Sequence, residues 1–200
     1  MVDDTELLEA WRSGDRAAGE ALFGRHFESV RRFFVNKVSD GVEDLVQQTF
    51  MACVERRDQI RAGTFLGYLF AVARSKLYDA LRSRMRAPEG VELGESSVAD
   101  LGVSPSGILQ GREDQGLLLQ ALRHIPVDLQ IAIELYYLEQ VRGRALEEAL
   151  GVPGGTVRSR LRRGLELLRT RVEELAATPR IRRDSAAAIE AWRARLEEAG

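Results

Sequence analysis

The sequence predicts an all-α protein, and three observations carry that prediction. Leu, Ala, Glu and Arg, all good helix formers, dominate, whereas aromatic residues make up only 6%. Apolar residues recur at three- and four-residue spacing over most of the chain. No stretch sustains the period-two alternation of a half-buried strand. The 200 residues are enough for one large domain or two small ones, and an apolar fraction of 44% lies outside the disordered range. No apolar run approaches the ~18 residues of a membrane span. The acidic, amphipathic start has no basic segment leading into an apolar one, so no secretory signal is expected and the chain is read as cytoplasmic. The single cysteine, Cys53, excludes an internal disulfide and a Cys-rich zinc site.

Asp3 and Glu6 form a capping-box start for a first helix with Leu7, Leu8 and Trp11 inward. Gly14 breaks it and Asp15 restarts a second, whose stripe is Ala18, Leu22, Phe23, Phe27, Val30, Phe34 and Val38. The turn Ser39-Asp40-Gly41 leads to a third, with Leu45, Val46, Phe50 and Cys53 inward. Gly63-Thr64 introduces a fourth, carrying Phe65, Tyr68, Leu69, Val72, Leu77 and Leu81. Cys53, His26 and His124 are read as core or surface residues rather than chemical ones.

A connector follows, rich in Gly, Pro and Ser, from which a flexible tether is expected. It divides the chain into a domain over 1–87, a linker over 88–112 and a second domain over 113–175, with a tail over 176–200. In the second domain Leu117, Leu122 and Ile125 precede Pro126, and a stripe from Leu129 to Leu138 follows. A short helix from Ala145 to Leu150, a turn through Gly151 to Gly155, and a helix with Thr156 at its N-cap make a helix-turn-helix. Val157, Leu161, Leu165 and Leu168 point inward there, leaving Arg158, Ser159, Arg162 and Arg163 outward. In the tail, Asp184 or Ser185 is expected to cap a helix with Ala188, Ile189, Trp192 and Leu196 on one face. That face covers the back of the second domain, or docks between the domains or on a regulatory partner and restrains DNA access, or the segment is disordered.

Charge divides the chain in the same places. Between Arg56 and Arg86 eight bases meet only Asp58 and Asp79, and Thr156 to Arg171 holds six arginines against Glu166 alone. The connector from Ala87 to Gly111 has no base. Two arginine-rich segments without balancing acids point to two polyanion-binding surfaces.

The stretch Glu43-Asp44-Leu45-Val46-Gln47-Gln48-Thr49-Phe50, then Phe65 to Leu81 and Arg82-Ser83-Arg84, resembles region 2 of bacterial sigma factors. Leu150 to Leu161 resembles region 4 of the same family. With no room for further regions, the chain looks like a two-domain, extracytoplasmic-function sigma factor. That resemblance implies a function in promoter-specific transcription initiation, with the RNA polymerase core (β′ clamp coiled coil and β flap), promoter DNA and an anti-sigma factor as partners. It implies no cofactor, no metal and no catalysis. Asp44, Gln47 and Gln48 occupy the positions that dock on the clamp, with Gln48 where Glu is commoner. Arg61, Arg74, Ser75, Lys76, Arg82 and Arg84 fall where the −10 strand is read or held, Ser75 replacing a frequent Asn; Arg86 joins the phosphate-contacting group. Thr156, Arg158, Ser159, Arg160, Arg162 and Arg163 match the −35 recognition helix, with Arg160 placed to pair a phosphate from its flank. The rival reading, a dimeric helix-turn-helix regulator acting without polymerase, accounts for the second domain but not the first. An all-helical enzyme finds no support, because no metalloprotease, phosphate-loop or nucleophile-elbow motif is present.

Overall fold

In the computed structural model Asp3 opens the first helix as its capping box requires: its Oδ1 accepts from the Glu6 amide at 2.8 Å, and Glu6 Oε2 accepts from the Asp3 amide at 3.1 Å. The structure describes residues 2–61, 64–85, 93–103, 113–176 and 179–198; Gly63 and Arg86 lie outside them. Helices α1 (Asp4–Arg12), α2 (Arg16–Val35), α3 (Val42–Glu55) and α4 (Phe65–Met85) form the first module. Leu8, Leu22, Phe34, Leu69 and Leu77 are fully excluded from water at its centre. Cys53 is buried among them, and burial pushes its thiol up to about 12, so it is a small apolar residue at neutral pH.

Phe27 departs from the expected stripe. The inward strip of α2 is Leu22, His26, Val30 and Phe33, and Phe27, one position further round, is 44% exposed. His26 takes the inward place because Asp4 Oδ2 lies 2.6 Å from its Nε2.

The second module comprises α5 (Glu113–Leu122), α6 (Val127–Ile133) running into a π-turn over Glu134–Leu138, α7 (Gly143–Leu150), α8 (Gly154–Leu175) and α9 (Pro179–Glu198). The helix-turn-helix forms from α7 and α8 around Gly151, whose φ of 65° is the left-handed conformation a helix stop requires. Thr156 is not the N-cap. Pro153 holds that place, with its carbonyl accepting from Thr156 and Val157, so Thr156 sits in the first turn with its side chain exposed.

The connector is not loose over 93–103. Leu93, Val98 and Val103 are buried, the Val127 amide donates to the Ser96 carbonyl, and the Ala99 amide donates to that of Arg123. Apolar residues spaced too irregularly to register as a stripe bind this segment to the second module.

The tail packs on the back of the second module, the first of the three outcomes left open above. Helix α9 lies on α5 and α8, with Ile189, Trp192 and Leu196 buried. The Trp192 ring stacks on Tyr137 at 4.7 Å, and the Tyr137 hydroxyl donates to the Trp192 carbonyl at 2.9 Å. The helix begins at Pro179, so neither Asp184 nor Ser185 caps it, and Ser185 is buried within.

Candidate polymerase and promoter interface

The expected docking residues share one exposed face of α3. Asp44, Gln47 and Gln48 are all open to solvent, and Gln48 Nε2 donates to Asp44 Oδ2 at 2.7 Å. This bond of one helical turn holds the two side chains together. The same face continues into apolar residues that periodicity did not single out. Met51 is 50% and Val54 44% exposed, and Phe27 stacks beside them on Phe50. The available signal was Met51 falling seven residues beyond Asp44, and Val54 seven beyond Gln47, on a face otherwise polar.

The expected −10 residues divide between two faces of α4. Ser75, Arg82 and Arg84 are exposed, as is Arg61 ahead of the helix, while Lys76 is half-buried. Arg82 pairs with Asp79 and Arg84 with Asp40 and Ser39. Arg74 turns instead toward the second module, where its Nη1 donates to the carbonyls of Ala149 and Leu150 at the end of α7. A Cβ at Gly67, two turns before Arg74, would lie 2.7 Å from the Ala145 carbonyl oxygen, so α4 and α7 meet backbone to backbone there.

One turn beyond Arg74, the Tyr78 hydroxyl donates to Asp128 of α6, and Asp128 Oδ2 also holds Arg160 Nη2 at 2.7 Å. Burial, joined by the Asp128 contact, pushes the Tyr78 phenol well above its usual value, so it remains a donor. A polar chain therefore runs from the expected −10 helix to the expected −35 helix. Among the described residues Arg74 Nε and Arg160 Nη1 are buried without a hydrogen-bond partner, while other nitrogens of the same groups are bonded.

The remaining residues of α8 are available. Arg158, Ser159, Arg162 and Arg163 are exposed, as is Thr156. Thr156, Ser159, Arg160 and Arg163 line a cleft shared with Gly94 and Glu95 of the connector, while Arg162 borders the α9 residues Arg193, Leu196 and Glu197. The recognition helix is thus flanked by the connector on one side and by the tail on the other. Arg142, upstream of α7, lies 3.6 Å from the centroid of the Tyr136 ring and donates to Gln140 Oε1, a packing role.

Other charged side chains across the seam were not anticipated. Lys37 at the end of α2 bonds Glu134 and the Phe33 carbonyl, Asn36 Nδ2 donates to Glu134 at 3.0 Å, and Arg123 donates to the carbonyls of Asn36 and Val103. Arg32 holds Glu139 through two bonds of 2.9 and 2.8 Å. The legible signal was Glu134, a lone acid inside the apolar run from Leu129 to Leu138. Among the described residues no group of side chains is suited to hold a metal ion, and no helix is long and apolar enough to cross a membrane.

Two family descriptions match the two modules: Sigma-70 region 2 over residues 22–87 and Sigma-70 region 4 over residues 115–168. The chain belongs to the sigma-70 family. The RNA polymerase sigma factor CarQ of Myxococcus xanthus is 33% identical over 177 residues, covering 84% of this chain and 97% of that one. The ECF RNA polymerase sigma-E factor of Haemophilus influenzae is 25% identical over 185 residues, covering 88% and 98%. These relatives place the chain in the extracytoplasmic-function group. In fold it is similar to the sigma factor RpoE of Bartonella quintana, solved with the anti-sigma factor NepR, with a TM-score of 0.59 and 24% identity over 77% of this chain and 96% of that one.

Proposed function

We propose that this sigma-70 family chain docks on core polymerase through α3 and reads a two-part promoter through α4 and α8. The observation that carries this reading is the exposed face of Asp44, Gln47 and Gln48, continued by Met51 and Val54 on a module without recognition-helix geometry. A DNA-only regulator has no use for such a face. Polar residues there set register against a basic coiled coil, and the apolar end supplies burial. On the promoter, Arg61, Arg74, Ser75, Lys76, Arg82 and Arg84 hold the −10 strand. Thr156, Arg158, Ser159, Arg160, Arg162 and Arg163 serve the −35 duplex, where one arginine bidentate to guanine contributes about 1–3 kcal/mol of discrimination.

The seam must open for this work, because Arg74 and Arg160 are turned inward in the closed arrangement. The chain acts without cofactor or catalysis of its own, in the cytoplasm where polymerase is found. An anti-sigma protein that holds the closed arrangement is the natural antagonist. Initiation from a two-element promoter by purified core polymerase plus this chain tests the reading, with Asp44→Arg expected to abolish stimulation while leaving the helical signal unchanged. Tight binding of a homodimer to a palindrome in the absence of polymerase would overturn it.

A further inference from the structure

A cavity of about 470 Å³ lies where α2, α5, the π-turn and α9 meet. Its walls include Phe33 and Asn36 of the first module, Leu119 and Leu138 of the second, and Trp192 of the tail. Protein interiors leave few voids larger than a water molecule, and a space walled by hydrocarbon holds water poorly. The volume falls within the range of small-molecule sites, about 300–1,000 Å³.

We propose that this cavity binds a small uncharged molecule, mostly hydrocarbon, and that its occupation holds the two modules closed. The absence of charge follows from the ionic groups in the wall. Among the described residues of the wall, Glu139 is bound by Arg32 and Glu134 by Lys37, so an ionic ligand would lose its hydration without gaining a counter-ion. Asn36 offers no polar anchor: its Nδ2 is committed to Glu134 at 3.0 Å and to the Leu119 carbonyl at 3.4 Å, and its Oδ1 is closed off from the space, so the hydrocarbon of the wall sets the character of the ligand. The closing effect follows from the walls: they come from both modules and the tail, so separating the modules dismantles the site, and a molecule bound there favours the closed state by mass action. Binding itself does not depend on the polymerase reading, and it is measured without polymerase.

The test uses 4-octylanisole as probe, below its aggregation concentration, with 4-octylbenzoate as the charged comparison. In a Trp11→Phe chain Trp192 is the remaining tryptophan, and its emission reports the cavity directly. Titration calorimetry on the unaltered chain gives a second readout. The expected result is saturable 1:1 binding of the ether, at least ten-fold tighter than the benzoate, together with a raised Tm. Leu119→Trp and Ala188→Phe, which fill the space from α5 and α9, should each lose this binding; if one fails to fold, the other decides. No saturable binding, or binding that persists in a folded filled variant, overturns the site. Binding of the benzoate as tight as that of the ether overturns the uncharged class.

Discussion

Lys37 and Glu134 meet across the seam between the two modules, the lysine fully excluded from water and the glutamate side chain 5% exposed. Burial lowers the Lys37 pKa, and the Glu134 charge opposes that shift. The lysine also lies 4.2 Å over the Phe33 ring. Buried pairs of this kind gain little net stability, because the hydration lost by each ion offsets their attraction. They do impose geometry, since a shifted seam strands both charges. Such a contact specifies one closed arrangement without locking it strongly, as a chain that must open on polymerase requires.

The pair gives the first prediction. Lys37→Met removes the counter-charge bonded to the buried Glu134 and should destabilise the closed arrangement by about 3–5 kcal/mol. Adding Glu134→Leu should recover most of that loss. Small-angle scattering and thermal unfolding of the three proteins check both statements; a double variant as open as the single one would contradict the argument.

Gly67 offers an independent way to open the seam. Any side chain there meets the Ala145 backbone, with a Cβ only 2.7 Å from its oxygen. Gly67→Leu should therefore separate α4 from α7 while leaving the exposed residues Ser75 and Arg82 untouched. The expected outcome is a larger radius of gyration, with promoter-fragment affinity raised several-fold in the isolated chain. An unchanged radius would show that the two helices slide rather than part.

Helices were legible because each buries one stripe, and a stripe is a local pattern. The arginine-covered face of α8 was legible for the same reason, since charge that lacks nearby acids stands out in sequence. The seam was not. Asn36, Lys37 and Arg123 look like ordinary helix-end residues until the opposing module supplies Glu134 and the carbonyl of Val103. Arg74 and Arg160 were legible as polyanion contacts, but their tie was not: Arg74 lies 5.7 Å over the Tyr78 ring, and the run from Tyr78 through Asp128 to Arg160 joins positions 50 and 32 residues apart. Phe27 was misplaced because His26 beside it takes the inward position, an arrangement fixed by Asp4 on another helix.

The apolar end of the docking face gives a third prediction. Met51 is half exposed, so Met51→Asp should leave the unfolding free energy within about 1 kcal/mol of the parent's. It should nevertheless weaken core-polymerase binding by ten-fold or more if the face is buried on docking. Equal affinity in a fluorescence-anisotropy titration would confine docking to the polar residues.

Acid should loosen the first module through Asp4. Burial acts to raise its pKa, but hydrogen bonds and charges from His26 and Arg25 outweigh it and hold the carboxyl below its ordinary 3.8. The folded state therefore binds this proton less readily than the unfolded one. The stabilisation is complete above pH ~4 and is lost as the pH falls through the lowered folded-state value. Asp4→Asn should flatten that part of the stability–pH curve, measured by urea unfolding between pH 2 and 6.

The tail provides the last prediction, and its packing decides the direction. Trp192 is 8% exposed and stacked on Tyr137, whose phenol is pushed up to about 12, first by burial. Arg169 of α8 adds an exposed bond to Glu190, which contributes little. Removing the ring leaves Tyr137 uncovered and enlarges the cavity that Trp192 walls, so Trp192→Ala should cost about 3–5 kcal/mol. The loss should appear in the unfolding of the second module, because α9 rests on α5 and α8. Deleting residues 178–200 should destabilise at least as much. It would also remove Leu196 and Glu197 from beside Arg162, clearing one flank of the recognition helix. Thermal unfolding followed by helical signal separates the two contributions: Trp192→Ala and the deletion should lower Tm alike, but only the deletion should raise affinity for a −35 duplex. If Trp192→Ala raised that affinity equally, tail packing and DNA access would be a single coupled event rather than two.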